Sequence, residues 1–113
     1  MTLYVGASSP LASDLVVTSR YGETDPVSGL PVVAPDLTTV SAVSWEVVRP
    51  GGDVVTLSAS IVGVTTSAKL VARRLHAATD LPRAGKYAVR VLLTTPGGVV
   101  RSEPQSLSVL AFP

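Results

Sequence analysis

The chain is predicted to fold as an all-β sandwich, and three observations carry that expectation. Apolar residues alternate with polar ones over residues 43–48 and 87–93, the period-two pattern of strands buried on one face. Nine Pro and nine Gly divide the chain into short segments, and no helical period survives beyond a single turn's length at 77–83. The stretch Asp80-Leu81-Pro82-Arg83-Ala84-Gly85-Lys86-Tyr87 reads as a polar crossover between sheets that ends in a tight corner and opens a central strand. At that corner Gly85 is expected to supply a backbone angle that a Cβ would penalise. Tyr87 is expected to bury its ring and return its hydroxyl to the corner's backbone.

The elements follow in order. Leu3-Tyr4-Val5 is a short apolar strand, and Ala7-Ser8-Ser9-Pro10 turns. Residues 14–21, carrying Leu15-Val16-Val17, form the second strand, and the polar stretch 22–31 is a long loop rich in turn formers. Val32-Val33 is a brief edge strand stopped by Pro35. Residues 40–49 are the clearest strand: Val43, Trp45 and Val47 face one way, with Ser44, Glu46 and Val48 on the other. Pro50-Gly51-Gly52-Asp53 is a tight turn, and residues 54–62 return as partner, with Val55, Leu57, Ala59 and Ile61 on the better face. Residues 68–75 form the next strand. Past the corner, Tyr87, Val89, Val91 and Leu93 share a face, Thr95-Pro96-Gly97-Gly98 is a hairpin turn, and residues 99–101 continue outward. Glu103-Pro104 interrupts the ladder before a last strand with Leu107, Val109 and Ala111. About seven short antiparallel strands at this spacing, with a buried Trp in the strand at 40–49 and a Tyr corner, describe a single immunoglobulin-like sandwich. Its core is centred on Trp45, Gly85, Tyr87, Val89 and Val91.

At 113 residues the chain makes one domain, 1–113, with short ends at 1–10 and 110–113 that a partner is expected to order. There is no Cys, so no disulfide staples the sheets and packing alone must hold them. A net charge of +1, with Arg73-Arg74 the only tight basic pair, argues against a nucleic-acid partner. No signal peptide or membrane span is read, which points to synthesis in the cytoplasm and no membrane partner. With 15% charged and 46% hydrophobic residues, the surface is too poor in charge for a free monomer, and assembly into something larger is expected.

Candidate chemistry is sparse. His76 is the only His, which excludes a His pair for metal. A Ser-His-Asp set can be written, yet no nucleophile sits in a strand-to-helix elbow, so His76 reads as a loop residue beside the corner. Glu23, Asp25, Asp36 and Asp80 lack the spacing of a calcium loop and read as solvated carboxylates, with Asp25 and Asp36 capping turns. Gly51-Gly52 and Gly97-Gly98 lie between strands rather than before a helix, so they are turns and not phosphate cradles. Arg73 and Arg74 point to opposite faces, with the stem of Arg74 covering the core's rim. No cofactor and no catalytic residue are implied. Val48, Leu92, Leu110 and Phe112 fall outside the alternating core and are expected to form an apolar patch that a partner covers.

The order of landmarks carries a resemblance. Val43-Ser44-Trp45-Glu46-Val47-Val48-Arg49-Pro50-Gly51-Gly52-Asp53, then Asp80-Leu81-Pro82-Arg83-Ala84-Gly85-Lys86-Tyr87, then Glu103-Pro104-Gln105-Ser106-Leu107-Ser108-Val109 resembles the small immunoglobulin-like virion proteins of tailed bacteriophages. These include domains like the N-terminal part of baseplate upper proteins. The likeness spans residues 42–109. The chain differs in its insertion at 22–31 and in Leu57, where a second aromatic is usual. The resemblance implies a non-enzymatic structural component of the virion, at the capsid, the neck, or the baseplate and fibre attachment. Its partners would be other virion proteins in a symmetric multimer. The alternative is a cytoplasmic bacterial immunoglobulin-like binding module for carbohydrate, which would need exposed aromatics among Tyr4, Tyr21, Trp45, Tyr87 and Phe112.

Overall fold

The computed structural model describes residues 2–4, 12–77 and 79–111, so the expected turn at 7–10 and Phe112 lie outside the described residues. Eight strands are present among them: β1 (Thr2–Tyr4), β2 (Ala12–Thr18), β3 (Ala42–Val48), β4 (Val54–Val62), β5 (Lys69–Leu75), β6 (Gly85–Thr95), β7 (Gly98–Arg101) and β8 (Gln105–Leu110). They form one curled sheet in the order β1-β8-β6-β3-β4-β5-β2, with β7 also on β6. Every pairing is antiparallel except that of β1 with β8, which is parallel.

The curl has a definite cause in β4. From Val54 to Ala59 it pairs with β3, and from Ser60 to Val62 it pairs with β5. That change of partner turns β5 and β2 back over the rest of the sheet. Leu15, Val17, Leu70 and Ala72 thereby share one core with Trp45, Val89, Val91, Leu107 and Val109. β3 and β6 alternate buried and open positions along their length, which puts Val43, Trp45 and Val47 inside together with Tyr87, Val89, Val91 and Leu93. Trp45, Tyr87 and Val89 are each 1% exposed and Val91 is sealed completely. Two loop residues add to this core. These are Leu37, on a short 3-10 helix (Leu37–Thr39) capped by Asp36, and Leu81 from the connection between β5 and β6.

The corner before β6 is built from three contacts. The Tyr87 hydroxyl donates to the Arg83 carbonyl at 2.6 Å and accepts from the Arg83 N–H at 3.2 Å. Gly85 has φ +138°, and a Cβ there would stand 2.9 Å from Cγ of Pro50, so only glycine fits between the crossover and the β3–β4 turn.

Three sequence expectations need correction. β2 runs Ala12–Thr18 rather than 14–21, because the chain turns at Tyr21-Gly22, and at the strand's start Ser13 takes a core position. Val32-Val33 is not a strand: the Val32 N–H is committed to the Glu23 carbonyl at 2.9 Å, and Pro35 has no donor to extend a ladder. The last strand stops at Leu110, leaving Ala111 outside it.

Candidate functional site

Among the described residues, the expected docking patch of Val48, Leu92 and Leu110 does not assemble as one surface, and its fourth member, Phe112, lies outside them. Val48 and Leu110 are exposed and Leu92 is half-buried, all on strands of the same sheet. Register sets Val48 opposite Ala88, and Leu92 opposite Ser44. The two levels are therefore four positions apart along β6, about 13 Å at 3.3 Å per residue. The Glu46–Arg90 pair stands between them, and Glu46 also meets the Arg101 guanidinium at 3.4 Å. Leu110 lies beyond Val109, which pairs with Gly85 at the opposite end of β6 from Leu92. Register and intervening charge break the patch.

Two other places hold the molecule's notable side chains. The first is sealed inside the crossover between β5 and β6. Along β5 the inward positions Leu70, Ala72 and Arg74 continue by period two to His76, which is 1% exposed. Asp80 follows on the turn, 2% exposed, and accepts from Arg74 Nε and Nη2 at 3.0 Å each, from the Ala77 N–H at 3.2 Å and from His76 Nδ1 at 3.3 Å. Across the core, Ser13 Oγ lies 2.7 Å from His76 Nε2. An ionised Asp80 can only accept, so this network assigns the ring proton to Nδ1 and leaves Nε2 to accept from the Ser13 hydroxyl. Arg74 Nη1 reaches the Ser58 carbonyl at 3.0 Å, and Arg49 Nη2 donates to the carbonyls of Thr79 and Asp80 at 3.0 and 3.3 Å. The Trp45 ring meets His76 edge-on with centroids 5.9 Å apart.

Burial holds the His76 imidazole below its ordinary range, and the Asp80 hydrogen bond offsets only part of that. For Asp80, burial works toward a higher pKa, but the Arg74 hydrogen bonds and charge, with the Ala77 N–H, outweigh it and hold the carboxyl below the usual range. The order Ser13–His76–Asp80 matches a nucleophile, base and orienting carboxylate. A nucleophile must reach substrate, however, and Ser13 is 4% exposed within a paired strand. The set therefore ties β2, β4 and β5 to the crossover and presents nothing to a substrate. Asp80 is thus not a solvated carboxylate, and His76 is a core residue. The alternation Leu70, Ala72, Arg74, His76 was the available signal.

The second place is the loop after β2. Residues 22–32 form an internally bonded hairpin: Asp25 N–H to Leu30 carbonyl at 2.8 Å, Gly29 N–H to Asp25 carbonyl at 2.8 Å, and a bridge of Thr24 with Pro31. The Asp25 carboxylate caps the tip by accepting from the Val27 N–H at 2.8 Å, and Glu23 pairs with Arg20 at 2.6 Å. Yet Val27 is 95% exposed, Leu30 65% and Val33 102%. Beside the hairpin runs a groove of about 690 Å³, walled by the end of β2, residues 32–35 and residues 101–105, with Leu37, Leu93 and Val100 among its lining. Gln105 Nε2 crosses this seam to the Val16 carbonyl at 3.1 Å.

Among the described residues no group of three or more His, Asp or Glu side chains is arranged to hold a metal ion, and no helix is long and apolar enough to cross a membrane. No protein-family model matches the chain, and no curated protein matches it in sequence.

Proposed function

We propose that this chain is a non-enzymatic structural component of a tailed-phage virion, an immunoglobulin-like sandwich that works by docking on other virion proteins. The change of partner within β4, the parallel addition of β1 to β8 and the Tyr87 corner all support the sandwich reading. The observation that carries the docking reading is the hairpin at 22–32. Its backbone is fixed by its own hydrogen bonds, while Val27 and Leu30, with Val33 just beyond, stand in solvent. A rigid apolar projection loses little conformational entropy on binding, so its burial goes largely into affinity. Virion stations repeat by symmetry, and the contact would recur around the station's axis. The carbohydrate alternative is less well supported, because Trp45 and Tyr87 lie in the core and cannot act as sugar platforms.

The test is quantitative protein gels on purified particles, with the mass of the isolated protein in solution measured alongside. Many copies per particle are expected. Absence of the chain from particles, with a stable monomer that binds glycans, would replace this reading with the alternative.

A further inference from the structure

We propose that His76, Asp80, Arg74 and Ser13 form a protonation-sensitive latch that clamps the β5–β6 crossover onto the sheet and opens it locally in mild acid. The neutral ring uses both of its nitrogens: Nδ1–H donates to Asp80 and Nε2 accepts from Ser13. A second ring proton upsets the Ser13 side of that arrangement. Nε2 becomes a donor facing a hydroxyl that was itself donating, and Ser13 is too buried to redirect its proton to solvent. The charged groups around the ring offset the new charge only in part, since Asp80 attracts it while Arg74 repels it. Asp80 is already engaged by Arg74 through two hydrogen bonds, and Arg49 lies against the Asp80 carbonyl, so the added cation enters a site that already holds two guanidinium groups. From β3 the ring is met by Trp45, which is neutral, and from β2 by Ser13. The segment released is the one Asp80 anchors. Leu81, 1% exposed, would lose its seat with it. The central strands β3 and β6 keep their own seven-residue ladder and are expected to stay closed.

The chain supplies its own reporters, since His76 is the only His and Trp45 the only Trp. The experiment follows the His76 ring by NMR and Trp45 by fluorescence from pH 8 to 4.5, with amide protection factors for the crossover and for β3 and β6. The expected result is a single His76 titration with its midpoint below about 6.5, a Trp45 change at the same pH, and loss of protection at the bonded amides of Asp80 and Arg83 while Trp45 and Val91 stay protected. His76→Gln should remove the step in both reporters. Unchanged protection in the crossover once His76 is protonated would overturn the latch. So would simultaneous opening of crossover and central strands, which would mean global unfolding. Should His76→Gln fail to fold, the wild-type protection pattern still decides.

Discussion

The two ends of β2 lead to opposite treatments of polarity. At its start, Ser13 enters a cluster in which Arg74, His76 and Asp80 are withdrawn from water and bonded to one another. At its finish, Thr18 leads to a hairpin whose backbone is satisfied but whose Val27 and Leu30 are left outside. Buried polar groups are costly unless fully paired, and once paired they tolerate only one geometry. The crossover is thus fixed by what it hides. Exposed Val27 and Leu30 add little to the fold of the hairpin, which leaves them free for the docking role proposed above. The chain carries few charges and places several of them at its most tightly specified corner.

The largest expected effect breaks the first end. Asp80→Ala would leave Arg74 and His76 buried without their acceptor, and removing one partner of such a set costs about 3–5 kcal/mol. At the hairpin, Asp25→Ala removes a cap to the Val27 N–H, worth about 0.5–1 kcal/mol at an exposed turn. Urea unfolding of the two variants checks this. Equal losses would erase the contrast between the ends.

A second break uses the corner that shares the crossover. Gly85→Val meets both a φ of +138° and the Pro50 ring at 2.9 Å, so a loss of about 1–3 kcal/mol is expected. Gly97→Ala has its nearest neighbour at 4.0 Å and no positive φ, and should stay within about 0.5 kcal/mol of the parent. Thermal melts that superimpose for the two variants would remove the steric argument at Gly85.

Stability against pH sharpens the same comparison. Because His76 titrates below its ordinary value in the folded chain, the unfolded chain takes up that proton first as pH falls. Stability is therefore full above about pH 6.5 and declines as pH drops toward the folded value. Asp80, also held low, adds a second loss as pH falls below the ordinary carboxylate range. The melting temperature should decline from pH 7 to pH 5 in the parent and hold nearly level over that range in His76→Gln. A flat parent profile would show that burial does not set the His76 equilibrium.

The strands and the corner were legible in the residues because each rests on a local pattern. Alternation placed Val43, Trp45 and Val47, and the spacing of Gly85 to Tyr87 located the corner. What escaped depends on register and on contacts distant in sequence. No local pattern tells that β4 changes partner at Ser60, that β1 runs parallel to β8, or that Glu46 and Arg90 stand between Val48 and Leu92. Ser13 and His76 are separated by 63 positions, so their hydrogen bond exists only once β2 lies against β5. A polar residue at an inward position looks like a strand's end until its partner is known, and Ser13 therefore hides the true start of β2 at Ala12.

The smallest effect on folding is also the one on which the functional reading turns. Val27 and Val33 touch little of their own chain, so Val27→Glu with Val33→Glu should change stability by no more than about 0.5 kcal/mol. Leu92→Glu offers the matched control on the sheet's outer face, where it would stand opposite Arg101 and gain a cationic neighbour. If the hairpin is the docking element, the double variant should be lost from particles while Leu92→Glu is incorporated near the parental level, because a charge buried at a protein contact is costly and one left in solvent is not. Circular dichroism on each protein shows that the fold is retained, and protein gels of purified particles read the copy number. The reverse outcome, with Leu92→Glu excluded and the double variant retained, would move the contact from the hairpin to the outer face of β6 and leave the exposed valines without a role.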